Sequence, residues 1–219
     1  MSYRAVLLDA YGTLITLDRP VSRLQATVER ELGVEVDERA ARAAVRAEIE
    51  HYAAGCGAAR DDASLEALRR ECAAVLLRSL GLEAGAEAAL AVLHQAVVLR
   101  AFDDAVPALE MLAERGIATA VVSNGDCSLA AALAGAGLRA DVVVDSATAG
   151  AAKPDPAIFR IALERLGVAA ADALHVGDGP DTDGAGARAA GVDVVILDRS
   201  AQPAEGTIAS LAELGRLVA

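Results

Sequence analysis

The rhythm of apolar and polar positions changes twice along the chain. Ala5–Leu8 is an uninterrupted apolar run of strand length, closed by Asp9 and a polar loop, Tyr11-Gly12-Thr13. From Asp18 to Leu99 the spacing becomes helical. Val21, Leu24, Val28 and Leu32 fall three or four residues apart ahead of Gly33, and Leu65, Leu68, Cys72 and Val75 repeat the pattern ahead of Gly81. That spacing puts one apolar face of each helix into a core, and a glycine just past the last turn is a common stop. Residues 18–99 are therefore expected to form four helices and no strand. Beyond Phe102 the rhythm changes again. Apolar runs at 117–122, 142–144, 173–176 and 194–197 alternate with helical segments at 104–114, 128–135, 155–166 and 182–190.

Continuous apolar strands joined by crossover helices imply a parallel sheet buried on both faces. The expected fold is α/β: a Rossmann-like, doubly wound parallel sheet with an all-helical insertion. Residues 1–15 supply the first strand and 101–219 the remainder of the core, with 16–100 inserted as a helical cap.

Composition narrows the function classes. Of 219 residues, 54% are apolar, which excludes a disordered chain. The longest uncharged stretches, residues 88–99 and 127–138, are 12 residues each, short of the ~18–20 needed to span a bilayer. Twenty basic against 32 acidic side chains give a formal net charge of −12, which disfavours nucleic acid and anionic membranes as partners because both demand clustered positive charge. Met1-Ser2-Tyr3-Arg4 and the short apolar run after it lack the form of a signal peptide. Cys56, Cys72 and Cys127 are odd in number and far apart, which argues against a disulfide framework or a zinc site. The expectation is a cytoplasmic protein acting on a small molecule, as a monomer or as a homodimer through its Ala-rich helices.

In an open parallel sheet, ligands bind beyond the carboxyl ends of the strands. Polar loops follow the apolar runs at that edge: Asp9 with Tyr11-Gly12-Thr13, then Ser123-Asn124-Gly125, then Lys153-Pro154, then Gly177-Asp178 with Asp181 and Asp183. A carboxylate there can act as a nucleophile, dividing one difficult displacement into two. Thr13 and Ser123 suit anionic oxygens, and Lys153 would neutralise charge beside the nucleophile. Lys153 is also the single Lys among the 20 basic residues, the other 19 being Arg. A compact ammonium approaches a carboxylate as a point charge in a way a guanidinium does not. Asp9, Asp178 and Asp183 together cannot all ionise cheaply beside one ammonium, so a hard divalent cation is expected, and Mg²⁺ fits.

These four loops, in this order and strand context, resemble the four motifs of the haloacid dehalogenase superfamily of hydrolases, and the helical insertion resembles that superfamily's first class of cap. The resemblance implies that Asp9 is the nucleophile, that Thr13, Ser123 and Asn124 face the substrate anion, and that Lys153 is the motif lysine. It also implies Mg²⁺ held by Asp178 and Asp183, with the Asp9 carboxylate and the backbone carbonyl of Tyr11. The chain departs from the superfamily's phosphatases at Tyr11, where they carry a second aspartate that serves as general acid and base. Asp9-Ala10-Tyr11-Gly12-Thr13 and Ser123-Asn124-Gly125 look instead like the 2-haloacid dehalogenases, which use no metal and bind the substrate carboxylate partly through a cap arginine; Arg39, Arg42 and Arg46 lie in that region. Against this, Phe159 stands where those enzymes carry Tyr, and Asp178 with Asp183 replaces their Ser and Asn. The resemblance thus implies a Mg²⁺-dependent phosphatase of a small phosphorylated metabolite, with two alternatives: a metal-independent dehalogenase, or a member that binds a phosphorylated ligand without turnover.

Overall fold

The computed structural model describes residues 3–218 apart from 201, 203 and 205, so the N-terminal reading at Met1 and Ser2 lies outside the described residues. The chain divides into two compact units: residues up to Thr16 together with those from Ala101 onward, and residues 17–100.

In the first unit, β1 (Ala5–Leu8) is the middle strand of a five-stranded sheet. The others are β4 (Ala118–Ser123), β5 (Val142–Asp145), β6 (Ala173–Gly177) and β7 (Asp193–Ile196), in the order β5-β4-β1-β6-β7. All four pairings are parallel. Every residue of β1 is fully buried, which explains why it reads as an unbroken apolar run rather than an alternating one. Ala5 and Leu7 share one face with Ala120, Val122 and Val144, and that face packs on Ile158, Phe159, Ala162 and Leu163 of α8 (Pro156–Leu166). Side chains alternate along a strand, so Val6 and Leu8 point to the opposite face. Helix α5 (Ala105–Glu114) also packs on β4, with Leu109 and Leu112 buried, while the short α6 (Leu129–Gly135) and α7 (Ser146–Ala149) touch β5. The strand order reverses between β1 and β6, and the carboxyl ends of β1, β4 and β6 meet at that switch point.

The second unit contains α1 (Pro20–Leu32), α2 (Glu38–Gly55), α3 (Asp62–Ser79) and α4 (Ala86–Ala96). Gly33 ends α1 with a left-handed φ of 68°. Asp37 accepts the Ala40 amide at the start of α2, and Asp61 with Ser64 forms a reciprocal capping box at α3. One expectation needs correction. Residues 18–99 are not free of strand, because Leu99 opens β3 (Leu99–Ala101), which pairs with β2 (Ile15–Leu17) where the chain leaves and re-enters the core. Three-residue strands carry too few positions to display a period. Among the described residues no helix is long and apolar enough to cross a membrane.

Candidate active site

Asp9 follows β1 directly and is 5% exposed. Its amide continues the sheet by donating to the Val176 carbonyl at 2.9 Å, which fixes the side chain at the strand ends. Oδ1 accepts from Ser123 Oγ at 2.9 Å and from Lys153 Nζ at 2.5 Å. Oδ2 carries neither of these bonds. The loop after Asp9 folds on itself: the amides of Thr13, Leu14 and Ile15 converge on the Ala10 carbonyl, and Gly12 donates back to Ile15. Gly12 sits at φ +82°, and a Cβ there would lie 2.1 Å from Asp178 Oδ2. Glycine is thus required twice over, by backbone conformation and by the approach of Asp178.

Lys153 is 6% exposed and bridges two carboxylates, with Asp183 Oδ1 2.7 Å from Nζ. Burial acts to lower its pKa, but the charges of Asp9 and Asp183 outweigh burial and hold it above the usual lysine value. It is an ammonium at any working pH. Asn124 was expected on the side of the substrate anion, and the structure uses its carboxamide differently. Its Oδ1 accepts the Lys153 amide at 2.7 Å and its Nδ2 donates to the Lys153 carbonyl at 3.0 Å. Asn124 therefore braces the backbone from which the lysine projects, a task that needs both ends of an amide.

Asp183 comes from a single π-helical turn, Pro180–Gly184, where the sequence pattern predicted a helix beginning at Thr182. The turn folds its carboxylate back over β6, so that a Cβ on Gly177 would lie 2.2 Å from Asp183 Cγ. Asp183 is 1% exposed, and Oδ2 accepts the Gly179 amide at 3.0 Å. His175 Nε2 lies 2.8 Å from Asp183 Oδ1. Burial would raise the Asp183 pKa, but the hydrogen bond from His175 and the charge of Lys153 hold it well below the carboxylate range. Burial pulls His175 the other way, below its ordinary value. A neutral imidazole beside an ionised carboxylate donates through Nε2, which assigns the proton to that nitrogen. Nδ1 is then the bare acceptor, and among the described residues it has no partner. The ring stands edge-on to Phe159, with centroids 4.9 Å apart. The apolar run 173–176 places His175 in the core, and its contact with Asp183 joins it to the site. A histidine inside an apolar strand run, eight residues before an acid, was the available signal.

Asp178 is the exposed member of the group. Partial burial and the charges of Asp9 and Asp183 push its carboxyl up to about 6, only partly offset by Lys153. Ligand oxygens of Asp9, Asp178 and Asp183 all lie within 4.8 Å of one another. The raised pKa registers that proximity: three carboxylates face one ammonium, the donor set and charge imbalance that suit a hard divalent cation. The sign of the consequence follows from linkage. A carboxyl whose folded pKa is raised binds its proton more tightly in the native state, so it costs stability progressively as pH rises from about 4 to about 6. In chelator, Asp178→Asn should therefore leave melting unchanged near pH 4 and raise it above pH 6. After discounting for solvent screening the gain is roughly 1 kcal/mol or less, ~2–4 °C for a chain of this size. Thermal melts of both proteins across that pH range check this.

Thr13 is fully buried, and among the described residues its Oγ1 has no hydrogen-bond partner. Tyr11 is partly exposed, and its Cε2 lies 3.7 Å from where a Cβ on Gly125 would stand. Asp181 is exposed. Arg39, Arg42 and Arg46 are exposed on α2, with Arg42 paired to Glu38.

The arrangement joins a buried carboxylate with one oxygen unclaimed by Ser123 and Lys153, a buried ammonium, an unpaired hydroxyl and a cluster of acids at the switch point of a parallel sheet. A family model described as haloacid dehalogenase-like hydrolase matches residues 3–191. A Mycobacterium tuberculosis phosphatase is 33% identical, with the alignment covering 100% of this chain and 98% of the relative. Two solved structures are similar over nearly the whole chain. The L-2-haloacid dehalogenase of Xanthobacter autotrophicus is 27% identical with a TM-score of 0.72, covering 99% of this chain and 98% of that one. A phosphatase of the same superfamily from Thermococcus onnurineus is 26% identical with a TM-score of 0.64, covering 100% and 98%. The chain belongs to the haloacid dehalogenase-like hydrolases, with an inserted helical cap.

Proposed function

We propose that this hydrolase is a Mg²⁺-dependent phosphatase of a small phosphorylated metabolite. The observation that carries the reading is the convergence of Asp9, Asp178 and Asp183 around the single ammonium of Lys153. A halide leaves as a stable anion, so its expulsion does not by itself call for a cation beside these acids. Asp9, Asp178 and Asp183, with the Tyr11 carbonyl, would hold the ion, which supplies charge neutralisation for a phosphoryl group beside an anionic nucleophile.

Asp9 Oδ2 attacks phosphorus and the bond to the leaving oxygen breaks, giving an aspartyl phosphate and an alkoxide, phenoxide or carboxylate, of which the first two then take a proton from water. Water then attacks the same phosphorus, the bond to Oδ2 breaks, and the carboxylate is regenerated with inorganic phosphate. Ser123 and Lys153 hold Oδ1 through both steps and keep the carboxylate oriented. The buried Thr13 hydroxyl, and the Ser123 hydroxyl that already touches the nucleophile, are the groups read as facing phosphoryl oxygens. The unit of residues 17–100 is read as the cap that selects the substrate.

Tyr11 sets the limit on this chemistry. A phenol is a weaker proton donor to a departing alkoxide than the carboxyl group it replaces, and a positioned general acid contributes typically ~10²–10⁴-fold. The phenoxide of an aryl phosphate and the carboxylate of an acyl phosphate leave without that help. Turnover of an aryl phosphate should therefore exceed that of a matched alkyl phosphate by roughly 10²-fold or more in kcat, and equal rates would refute this account of Tyr11. Steady-state assays of both, with Mg²⁺ and with chelator, test the reading: phosphate release only with the metal is expected.

A second reading, metal-independent dehalogenation, is favoured by Tyr11 itself, by Ser123-Asn124-Gly125 and by the likeness to the Xanthobacter autotrophicus enzyme. Halide release from 2-chloropropionate that survives chelation would establish it. The third reading, a ligand-binding member without turnover, predicts a phosphorylated Asp9 that persists for hours.

A further inference from the structure

The loop that carries Asp9 and Tyr11 is held from behind by a residue outside the four motif loops, Arg199. The amides of Gly12, Thr13, Leu14 and Ile15 are spent on carbonyls of Ala10 and Ile15. The carbonyls of Gly12 and Thr13 accept instead from Arg199, by Nε at 3.3 Å and Nη2 at 2.8 Å. Arg199 lies 187 residues from Gly12 along the chain, in the segment after β7. It is itself fixed on two further sides. Nη1 and Nη2 form a two-pronged pair with Asp104 at 3.0 and 2.9 Å. The guanidinium lies over the Phe102 ring, 4.0 Å from its centroid. Asp104 is in turn held by Ser210 Oγ at 2.6 Å and the Leu211 amide at 2.9 Å. Burial would raise the Asp104 pKa, but Arg199 and Ser210 outweigh it and hold the carboxyl below its usual range. The Asp104 carboxyl therefore stays ionised near neutral pH.

The placement matters as much as the bonds. Thr13 precedes the point where the chain leaves the core, and Phe102 follows the point where it returns, with the Phe102 amide donating to the Leu14 carbonyl at 3.0 Å. One guanidinium thus ties the outgoing segment, the returning segment and the chain beyond β7 into a single cluster. Only an arginine can do this: its planar fork has donors for two carbonyls and a carboxylate at once, and its flat face stacks on a ring.

We propose that Arg199 is a positioning residue for the nucleophile loop, holding residues 10–15 through the carbonyls of Gly12 and Thr13, with Asp104 and Phe102 holding Arg199. The proposal concerns how the loop is kept in place; its kinetic consequence rests on the reading of Asp9 as nucleophile, but the primary test does not. Amide hydrogen exchange is measured on a peptide spanning residues 9–16, with a peptide over β5 as internal control, in the unaltered chain and in Arg199→Gln and Arg199→Lys. Losing charge-assisted bonds to two carbonyls should speed exchange in the loop by ~10-fold or more while β5 is unchanged. The lysine variant, which keeps the charge and loses the fork, should behave nearly as the glutamine variant does, and it keeps the test decisive if the glutamine variant fails to fold. Unchanged loop protection, or acceleration of loop and β5 alike, would overturn the proposal. In assays of turnover, kcat/KM should fall ~10-fold or more, because the nucleophile and the Thr13 hydroxyl are both carried by the loop that Arg199 holds. A chain without phosphatase activity would void that kinetic arm alone and leave the exchange result to decide.

Discussion

Replacing Asp9 by Asn is expected to abolish turnover, by at least ~10⁴-fold in kcat, with the fold intact. The two side chains are close in volume. An amide oxygen can still accept from Ser123 Oγ and Lys153 Nζ, the two donors that hold Oδ1 in the native site. What Asn lacks is a charged oxygen able to form a bond to phosphorus and release it again. Stability should change little, because the loss of attraction to Lys153 is offset by relief of the repulsion that raises the Asp178 carboxyl. Steady-state kinetics beside a thermal melt checks both statements. Retention of a tenth of native kcat would remove Asp9 from the role of nucleophile, whereas a large fall in melting temperature would make any loss of activity uninformative.

Lys153→Met is expected to damage fold and activity together. The side chain is 6% exposed and its ammonium touches Asp9 and Asp183, both buried. A methionine fills the volume but leaves two buried carboxylates facing each other without a counter-charge, a situation that costs ~3–5 kcal/mol. The pH dependence of that cost has a definite sign. The depressed pKa of Asp183 means that its stabilisation is present above its unfolded value of about 4 and is lost as pH falls below it. The raised pKa of Lys153 means that its own contribution persists up to its unfolded value of 10.5 and is lost only as pH rises beyond it. The stability gap between the two proteins should therefore be widest from about pH 5 to pH 9 and should narrow below pH 4. Denaturant titrations over that range measure it. Lys153→Arg should not restore turnover, because a guanidinium is broader than the slot between two carboxylates and cannot act as a point charge there.

The core was legible in the sequence because a parallel sheet buries both faces. β1 has no exposed position, so nothing polar interrupts its apolar run, and the site loops stand out as the polar residues at the carboxyl end of each such run. Asp9, Ser123 and Asp178 were legible for the same reason, since polar residues at the end of a buried strand have few structural excuses, whereas Lys153 stood out as the one Lys among 20 basic residues. The features that stayed hidden depend on contacts distant in sequence or on geometry with no period. The brace between Asn124 and the Lys153 backbone joins residues 29 apart, and the Arg199–Asp104 pair joins residues 95 apart. Neither residue type announces such a partner. The π-helical turn at Pro180–Gly184 looked like the start of a helix because its composition is that of one. His175 lies within the buried strand Ala173–Gly177, and its apolar neighbours give no sign of its bond to Asp183.

Asp9 is expected to take up a phosphoryl group in a step that needs a divalent cation. Acid quenching during turnover of an aryl phosphate, followed by mass spectrometry of the peptide that contains Asp9, measures this directly. With Mg²⁺ present, that peptide should carry the mass of one phosphoryl group; it should not do so in chelator, nor in Asp9→Asn. Sustained phosphate release with the peptide unmodified, or an alkyl ester on Asp9 formed from a 2-haloacid in chelator, would contradict the account.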